Sequence, residues 1–132
     1  MTIGLDPLTR NAMLDAITTR TGGNALLTIY SGTRPATSGA LSGNTLLAQL
    51  TCNATFAPAS SGGVLTLNSI ASIAAAATGT ATWFRLFKSD GTTIIMDGSV
   101  GTAGSDVNLN STAISAGATV SVTSATLTAG NP

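Results

Sequence analysis

Two apolar segments flank an Asp-Gly pair in "ATWFRLFKSDGTTIIMDG", residues 81–98, and this stretch constrains the fold most. An Asp-Gly pair between apolar segments favours a β-hairpin, because a type I′ turn needs positive φ at both central positions. The sequence therefore predicts two strands, over residues 80–89 and 92–100, joined at Asp90 and Gly91.

The register of this hairpin follows if Asp90 and Gly91 are the two turn residues. Arg85 then faces Met96, and Phe84 faces Asp97. One face carries Trp83, Arg85, Phe87, Ile94 and Met96. The other carries Phe84, Leu86 and Ile95, edged by Lys88 and Asp97. Both faces are apolar, whereas a two-sheet sandwich buries only one face of each sheet.

Three interpretations of the second apolar face stay open. The N-terminal helix covers it, another polypeptide docks on it, or Trp83 forms a sugar-binding platform. Arg85 lies in the middle of the Trp83 face, where burial within one chain is costly without a partner charge. Trp and Arg are also enriched in interface hot spots. We therefore expect Phe84 and Leu86 to point into the core, and Trp83 and Arg85 to dock on a partner together with Phe87 and Met96.

One helix is predicted, within an N-terminal arm of residues 1–23. Asp6 is a suitable N-cap, Pro7 suits the first helical position, and Gly22-Gly23 ends the segment. Apolar residues recur at helical spacing at Leu8, Ala12, Met13, Ala16 and Ile17. Because an isolated helix of this length is marginal in water, the stripe needs a packing surface. Leu8, Met13 and Ile17 are therefore further candidates for partner contacts.

The rest of the chain, residues 24–132, reads as a single β domain. Short apolar strands alternate with turns rich in Gly, Ser and Thr. The Ala run at 74–77 is predicted to be extended, because its flanks are β-rich. The apolar parity of the last strand changes near Thr123-Ser124, which indicates a bulge. The expected fold is a jelly roll or β-sandwich of about eight short antiparallel strands.

Charged residues are scarce, and this excludes several function classes. The chain has five basic and five acidic residues, no Glu and no His. A net charge of zero argues against nucleic-acid binding, which needs clustered Lys and Arg. Catalytic triads, zinc sites and cofactor-binding motifs lack the residues that they require. We therefore expect no enzyme, no cofactor and no metal, and a neutral surface suited to an assembly.

Cys52 is the only cysteine, and its strand-like setting predicts a buried, inert thiol. The N-terminus lacks the pattern of a signal peptide, and the longest apolar run is too short for a membrane helix. The expectation is a protein made in a cytoplasm.

Several stretches resemble a family of small virion proteins of tailed bacteriophages. The resemblance rests on "IYSGTRPA", on "GTATWFR…SDGT…DGSVGT" and on "LNSTAISAGATVSV", and covers roughly residues 25–128. It implies a jelly-roll capsid cement, or decoration, protein on the outer surface of a capsid. Such a protein binds the major capsid protein and ties neighbouring subunits together. The resemblance carries no catalytic residue.

Two functions stay open. The first is this cement protein, which also associates with itself as a dimer or trimer. The alternative is a receptor- or glycan-binding β domain of a tail fibre or baseplate. That domain would expose Trp83 or Tyr30 as a stacking platform.

Overall fold

A computed structural model describes residues 3–129, so the ends of the predicted arm and of the predicted β domain lie outside the described residues. The described part contains one helix and eleven strands. The elements are α1 Pro7–Thr21, β1 Leu26–Tyr30, β2 Leu46–Thr51, β3 Val64–Thr66, β4 Ile73–Ala74, β5 Gly79–Thr80, β6 Trp83–Phe87, β7 Ile94–Gly101, β8 Val107–Leu109, β9 Ala113–Ile114, β10 Thr119–Val120 and β11 Val122–Thr128. The predicted mainly-β fold with one short helix is confirmed.

The largest unit is a curled, mixed sheet of seven strands in the order β2-β1-β6-β7-β8-β11-β3. Two ribbons, β10-β4 and β5-β9, accompany it. The described residues form eleven strands rather than about eight, and the sheet is mixed rather than antiparallel, because β7 and β8 run parallel. The predicted jelly roll or sandwich is therefore not confirmed. The chain folds back between β7 and β8, and the Asp106 carboxylate accepts the Ser99 amide at 2.9 Å. The loop of residues 102–106 returns the chain to the level of Val100, so that β8 runs beside β7 in the same direction.

Helix α1 begins and ends where its local signals predict. The Asp6 side chain accepts a hydrogen bond from the Leu8 amide at 2.9 Å, and Pro7 occupies the first turn. Gly22 follows the helix with φ of 72°, a conformation that favours glycine. The cap and the stop are both confirmed.

The hairpin of β6 and β7 is confirmed, but its turn and its register differ from the prediction. Gly91 has positive φ and Asp90 does not, so the turn is not type I′. The connection is longer than two residues, because the Lys88 amide donates to the Thr93 carbonyl at 2.9 Å. A bulge beside Leu86 then shifts the pairing by one residue, so that Leu86 faces Met96 and Arg85 faces Asp97.

The hydrophobic core lies on the Phe84 face of the sheet. Phe84 and Leu86 are buried in it, as predicted, and pair with Ile29 and Leu27 of β1. The ribbons supply Ile114 and Val120 to the same core, and Ala75, which follows β4, also lies in it. One core therefore joins the sheet and both ribbons.

Two local predictions in the second half of the chain hold. The pairing of β11 with β8 shifts between Val122 and Ser124, which confirms the bulge. The Ala run forms no helix, and it is extended at its start in β4 Ile73–Ala74, whereas residues 76–77 form a bend. Both features follow from short-range sequence patterns.

Candidate protein-docking surfaces

The outer face of β6 holds a buried aromatic and ionic cluster. Trp83 stacks on Tyr30 with ring centroids 4.7 Å apart. The Arg85 guanidinium lies 5.2 Å from the centre of the Trp83 ring. It also forms two hydrogen bonds to the Asp97 carboxylate, of 2.7 and 2.9 Å. The fork-to-fork geometry makes this a strong and directional ion pair.

The bulge in β7 is what creates this pair. With the predicted two-residue turn, Asp97 would face Phe84 and lie on the other side of the sheet. The extra residue moves it opposite Arg85 and moves Met96 opposite Leu86. A slip of one residue sends each following side chain to the other face. The buried guanidinium thereby gains its counter-charge within the chain.

The ionisation of the cluster reflects both burial and pairing. Burial raises the pKa of Asp97, but hydrogen bonds from Arg85 and Ser38 and nearby positive charge outweigh it, so this pKa lies below its ordinary value. The hydrogen bond to Asp97 raises the pKa of Arg85. Burial raises the pKa of the Tyr30 hydroxyl. The pair is therefore charged at neutral pH.

The loop between β1 and β2, residues 31–45, is tied to this face. Its Ser38 amide donates to Asp97 Oδ2 at 2.9 Å. The Thr82 hydroxyl, just before β6, donates to the Gly32 carbonyl at 2.6 Å. The Asn44 side chain bonds the Ser31 and Thr33 carbonyls, each at 2.9 Å, and holds the loop in shape. These bonds hold the loop beside the ion pair.

The predicted docking role of the hairpin therefore needs correction. Trp83 is 1% exposed and Arg85 is 4% exposed, so neither offers a contact surface in the single chain. Tyr30 is also buried, and the stacking platform expected of a sugar-binding domain is not exposed at either ring. Phe87 is partly buried on the Trp83 side. Met96 is not on that face, because the bulge places it with Leu86 against the core.

Helix α1 turns its polar side toward the body of the protein. The Asn11 side chain accepts the Gly63 amide at 2.9 Å, and the Asp15 carboxylate accepts the Ser60 amide at 2.8 Å. The Arg10 guanidinium donates to the Ala129 carbonyl at 3.1 Å. Gly63 has φ of 74°, and a Cβ there would lie 2.6 Å from the Arg10 guanidinium. Only Leu14 adds a fully buried apolar side chain.

The opposite side of α1 is exposed and mostly uncharged. Leu8 is 76% exposed and Met13 is 52% exposed. The other exposed residues on this side are Asp6, Thr9, Ala12, Ala16, Thr19 and Arg20. We call these eight residues, from Asp6 to Arg20, the α1 outer face. Most of the apolar stripe that was predicted to need a packing surface therefore faces solvent.

A groove of about 550 Å³ runs between α1 and the sheet. Met13, Ile17 and Met96 line it, together with Phe84 and Leu127. Ile17 is partly buried against the core. Of the three predicted contact residues in the helix, Leu8 is exposed, Met13 is half exposed at the border between the α1 outer face and the groove, and Ile17 faces inward.

A second group of exposed apolar side chains lies away from the helix. Leu46 is on the edge strand β2, Leu41 is in the loop that precedes it, and Ile73 is in β4. We call these three residues the β2-side patch. The Ala76 amide bonds the Leu47 carbonyl at 2.7 Å and joins the β4 segment to β2. This patch was not predicted from the sequence, because nothing in a strand pattern shows which strand is at an edge.

Chemistry-bearing groups are dispersed. Within residues 3–129, no three His, Cys, Asp or Glu side chains are close enough to hold a metal ion. Burial raises the pKa of the Cys52 thiol to about 11. No helix of the described chain has the length and apolar character to cross a membrane.

Comparisons of the chain with protein-family models, with curated proteins and with solved structures found no match. The geometry of the two exposed apolar surfaces is therefore the basis for interpreting function.

Proposed function

We propose that this chain is a structural virion protein: a capsid cement, or decoration, protein on the outer surface of a phage capsid. It is made in the host cytoplasm, binds the major capsid protein and stabilises contacts between capsid subunits without catalysis. The proposal takes its family from the sequence resemblance. Its jelly-roll component also comes from that resemblance, and the curled sheet with two ribbons around one core is compatible with it.

The observation that carries the proposal is the pair of separate apolar surfaces. A protein that ties neighbours together needs at least two contact regions. The α1 outer face belongs to a helix that packs against β3, one edge of the large sheet. The β2-side patch includes Leu46 on the other edge strand. We take these exposed apolar residues as the contact regions, because contiguous exposed apolar patches mark interaction sites in soluble proteins.

The charge of the chain supports the same conclusion. Five acidic and five basic residues leave a net charge of zero, and one of each is used in the buried pair of Arg85 and Asp97. A surface with so few charges has little electrostatic repulsion to oppose close packing in a shell. Buried apolar area and shape would then supply the binding energy.

A tail-fibre or baseplate domain is the alternative function. Its glycan-binding form requires an open aromatic platform, and the Trp83 and Tyr30 rings are buried against each other. Cement binding is therefore the function that the exposed surfaces favour.

Separation of virion heads from tails, followed by labelling with an antibody to this chain, tests the proposal. We expect the label on the outside of heads. A label on tails, or none on virions, would overturn it.

A binding assay on capsids stripped of this protein identifies the surface. We expect Leu46→Ser to weaken binding about tenfold or more, whereas Thr51→Ser, an exposed polar change on the same strand, leaves it unchanged. Equal binding by both variants would exclude the β2-side patch as the capsid contact.

A further inference from the structure

The α1 outer face has its charges only at its two ends. Asp6 caps the N-terminus, Arg20 lies in the last turn, and the exposed residues between them are uncharged. Neither charge forms an ion pair within residues 3–129. Met13 lies midway between them in the sequence. Reversal of the helix about Met13 therefore exchanges its negative end with its positive end.

We infer that the α1 outer face binds the same face of a second copy of this chain, with the two helices antiparallel. When Met13 lies opposite its copy, each Asp6 lies opposite the Arg20 of the other chain. A parallel pair would instead place like charges together at both ends. The charge pattern thus selects the antiparallel arrangement, which is an isologous interface with two-fold symmetry.

Small side chains allow the two helices to approach closely. Thr9, Ala12 and Ala16, all exposed on this face, are smaller than Leu8 and Met13. Packed helices lie about 8–10 Å apart, and each Cα is about 2.3 Å from its own axis. Two Cα atoms at the symmetry axis are then about 3.4–5.4 Å apart, which overlaps the range of about 4.4–6.8 Å that a disulfide spans.

The second copy fits better than an unrelated partner because the face is self-complementary in charge. The inner side of α1 is already hydrogen-bonded to the turn at residues 60–63, so pairing of two helices through their outer faces needs no rearrangement of either helix. The inference rests on the proposed function only in treating this face as an interface. A dimer joined here presents two β2-side patches, which is what bridging of two capsid subunits requires.

Cross-linking of full-length Met13→Cys protein tests the geometry directly. Under mild oxidation we expect a covalent dimer in yields about tenfold above those of the Ser115→Cys control, which carries its thiol on the exposed turn between β9 and β10. The native Cys52 is 3% exposed and stays out of the reaction. Circular dichroism confirms that both variants fold. Equal cross-linking in the two variants would overturn the arrangement.

A charge-swap experiment tests the pairing without a covalent bond. Asp6→Lys gives a chain with two positive ends, and Arg20→Asp gives a chain with two negative ends. Sedimentation should show each variant alone dimerising about tenfold or more weakly than the native chain, and the equimolar mixture recovering the native affinity. Circular dichroism on each variant controls for the lost helix cap. A mixture no tighter than its components would contradict the inference.

The test of the helix-paired dimer can fail or succeed independently of the test of the cement function. Native protein that stays monomeric at about 100 μM while labelling virion heads would overturn the inference and leave the cement role standing. A dimer with the expected cross-link in a protein located on tails would do the reverse.

Discussion

Two surfaces of this molecule were predicted from the sequence to contact a partner, but one is buried within the chain and the other is exposed. The outer face of the β6 hairpin has the residues typical of a docking site, yet Trp83 and Arg85 are buried within the chain. The α1 outer face is made of less distinctive residues, yet Leu8 and Met13 stay exposed. Residue type therefore does not decide which surface is open. What decides is whether the rest of the chain covers the surface and supplies a partner for its charged group.

The polar partners explain the difference. Arg85 can be buried because a bulge brings Asp97 to it and the Ser38 amide bonds the same carboxylate. In helix α1, the polar side chains of Asn11 and Asp15 instead form hydrogen bonds to the body of the protein. Leu8 and Ala12 are left on the solvent side, whereas Leu14 and Ile17 pack inward. The apolar residues on the solvent side are therefore available for contact with another molecule.

The largest expected effect comes from the core side of the hairpin. Phe84→Ala should lower the free energy of unfolding by about 3–5 kcal/mol, because it removes a buried ring from the core. Phe87→Ala, on the partly buried outer side, should cost less than half as much. Urea unfolding of both variants provides the measurement. Equal losses would mean that the two sides of β6 are not distinct.

Removal of Asp97 should have the next largest effect. Asp97→Ala leaves the buried Arg85 charge without its partner and should cost about 3 kcal/mol of unfolding free energy. The double variant Arg85→Met/Asp97→Leu removes both charges and should recover most of that loss. Chemical denaturation of the three proteins measures the difference. A single variant as stable as the native chain would show that the pair is not needed to close this face.

Arg85 stabilises the fold, whereas the sequence suggested that it docks on a partner. If the residue lay at an open interface, its loss would spare the fold. Because Arg85 and Asp97 are both buried, we now expect Arg85→Ala to destabilise the chain about as much as Asp97→Ala.

Local features were predictable from the sequence, and features set by distant contacts were not. The cap at Asp6 and the bulge near Thr123-Ser124 depend on neighbouring residues, and both were predicted. The bulge beside Leu86 occurs together with the pairing of Arg85 and Asp97 and with a hydrogen bond from the Ser38 loop. No pattern within the hairpin contains that information.

The orientation of α1 shows the same limit. Its apolar stripe was visible in the sequence, but the side that faces the body depends on hydrogen bonds to Ser60 and Gly63. Those residues lie in a turn far along the chain. The candidate site was therefore predicted in part: Leu8 and Met13 were identified, whereas the β2-side patch was missed.

Two neighbours on α1 test which side of the helix is structural. Leu14→Ala should cost about 2 kcal/mol of unfolding free energy, because Leu14 is 4% exposed and packs in the core. Met13→Ala should change it by less than about 0.5 kcal/mol, because Met13 is half exposed. Thermal or urea melts of the two variants give the comparison. A larger loss at Met13 than at Leu14 would reverse the assignment of the two sides.

The smallest expected effect is at the exposed end of the hairpin. Hydrogen bonds from the Thr93 hydroxyl and amide and from the Thr92 amide lower the pKa of Asp90 to about 2. In the unfolded chain, Asp titrates near about 3.9. Above that pH both states are ionised, and the stabilisation is fully present. As the pH falls from about 4 to 2, the unfolded state takes up its proton first, so this stabilisation is lost.

The urea midpoint of the native chain should therefore fall slightly more between pH 5 and about pH 2.5 than that of Asp90→Asn. Asp97 titrates in both proteins and cancels from the difference. Parallel pH profiles would show that the Asp90 carboxylate does not hold the turn.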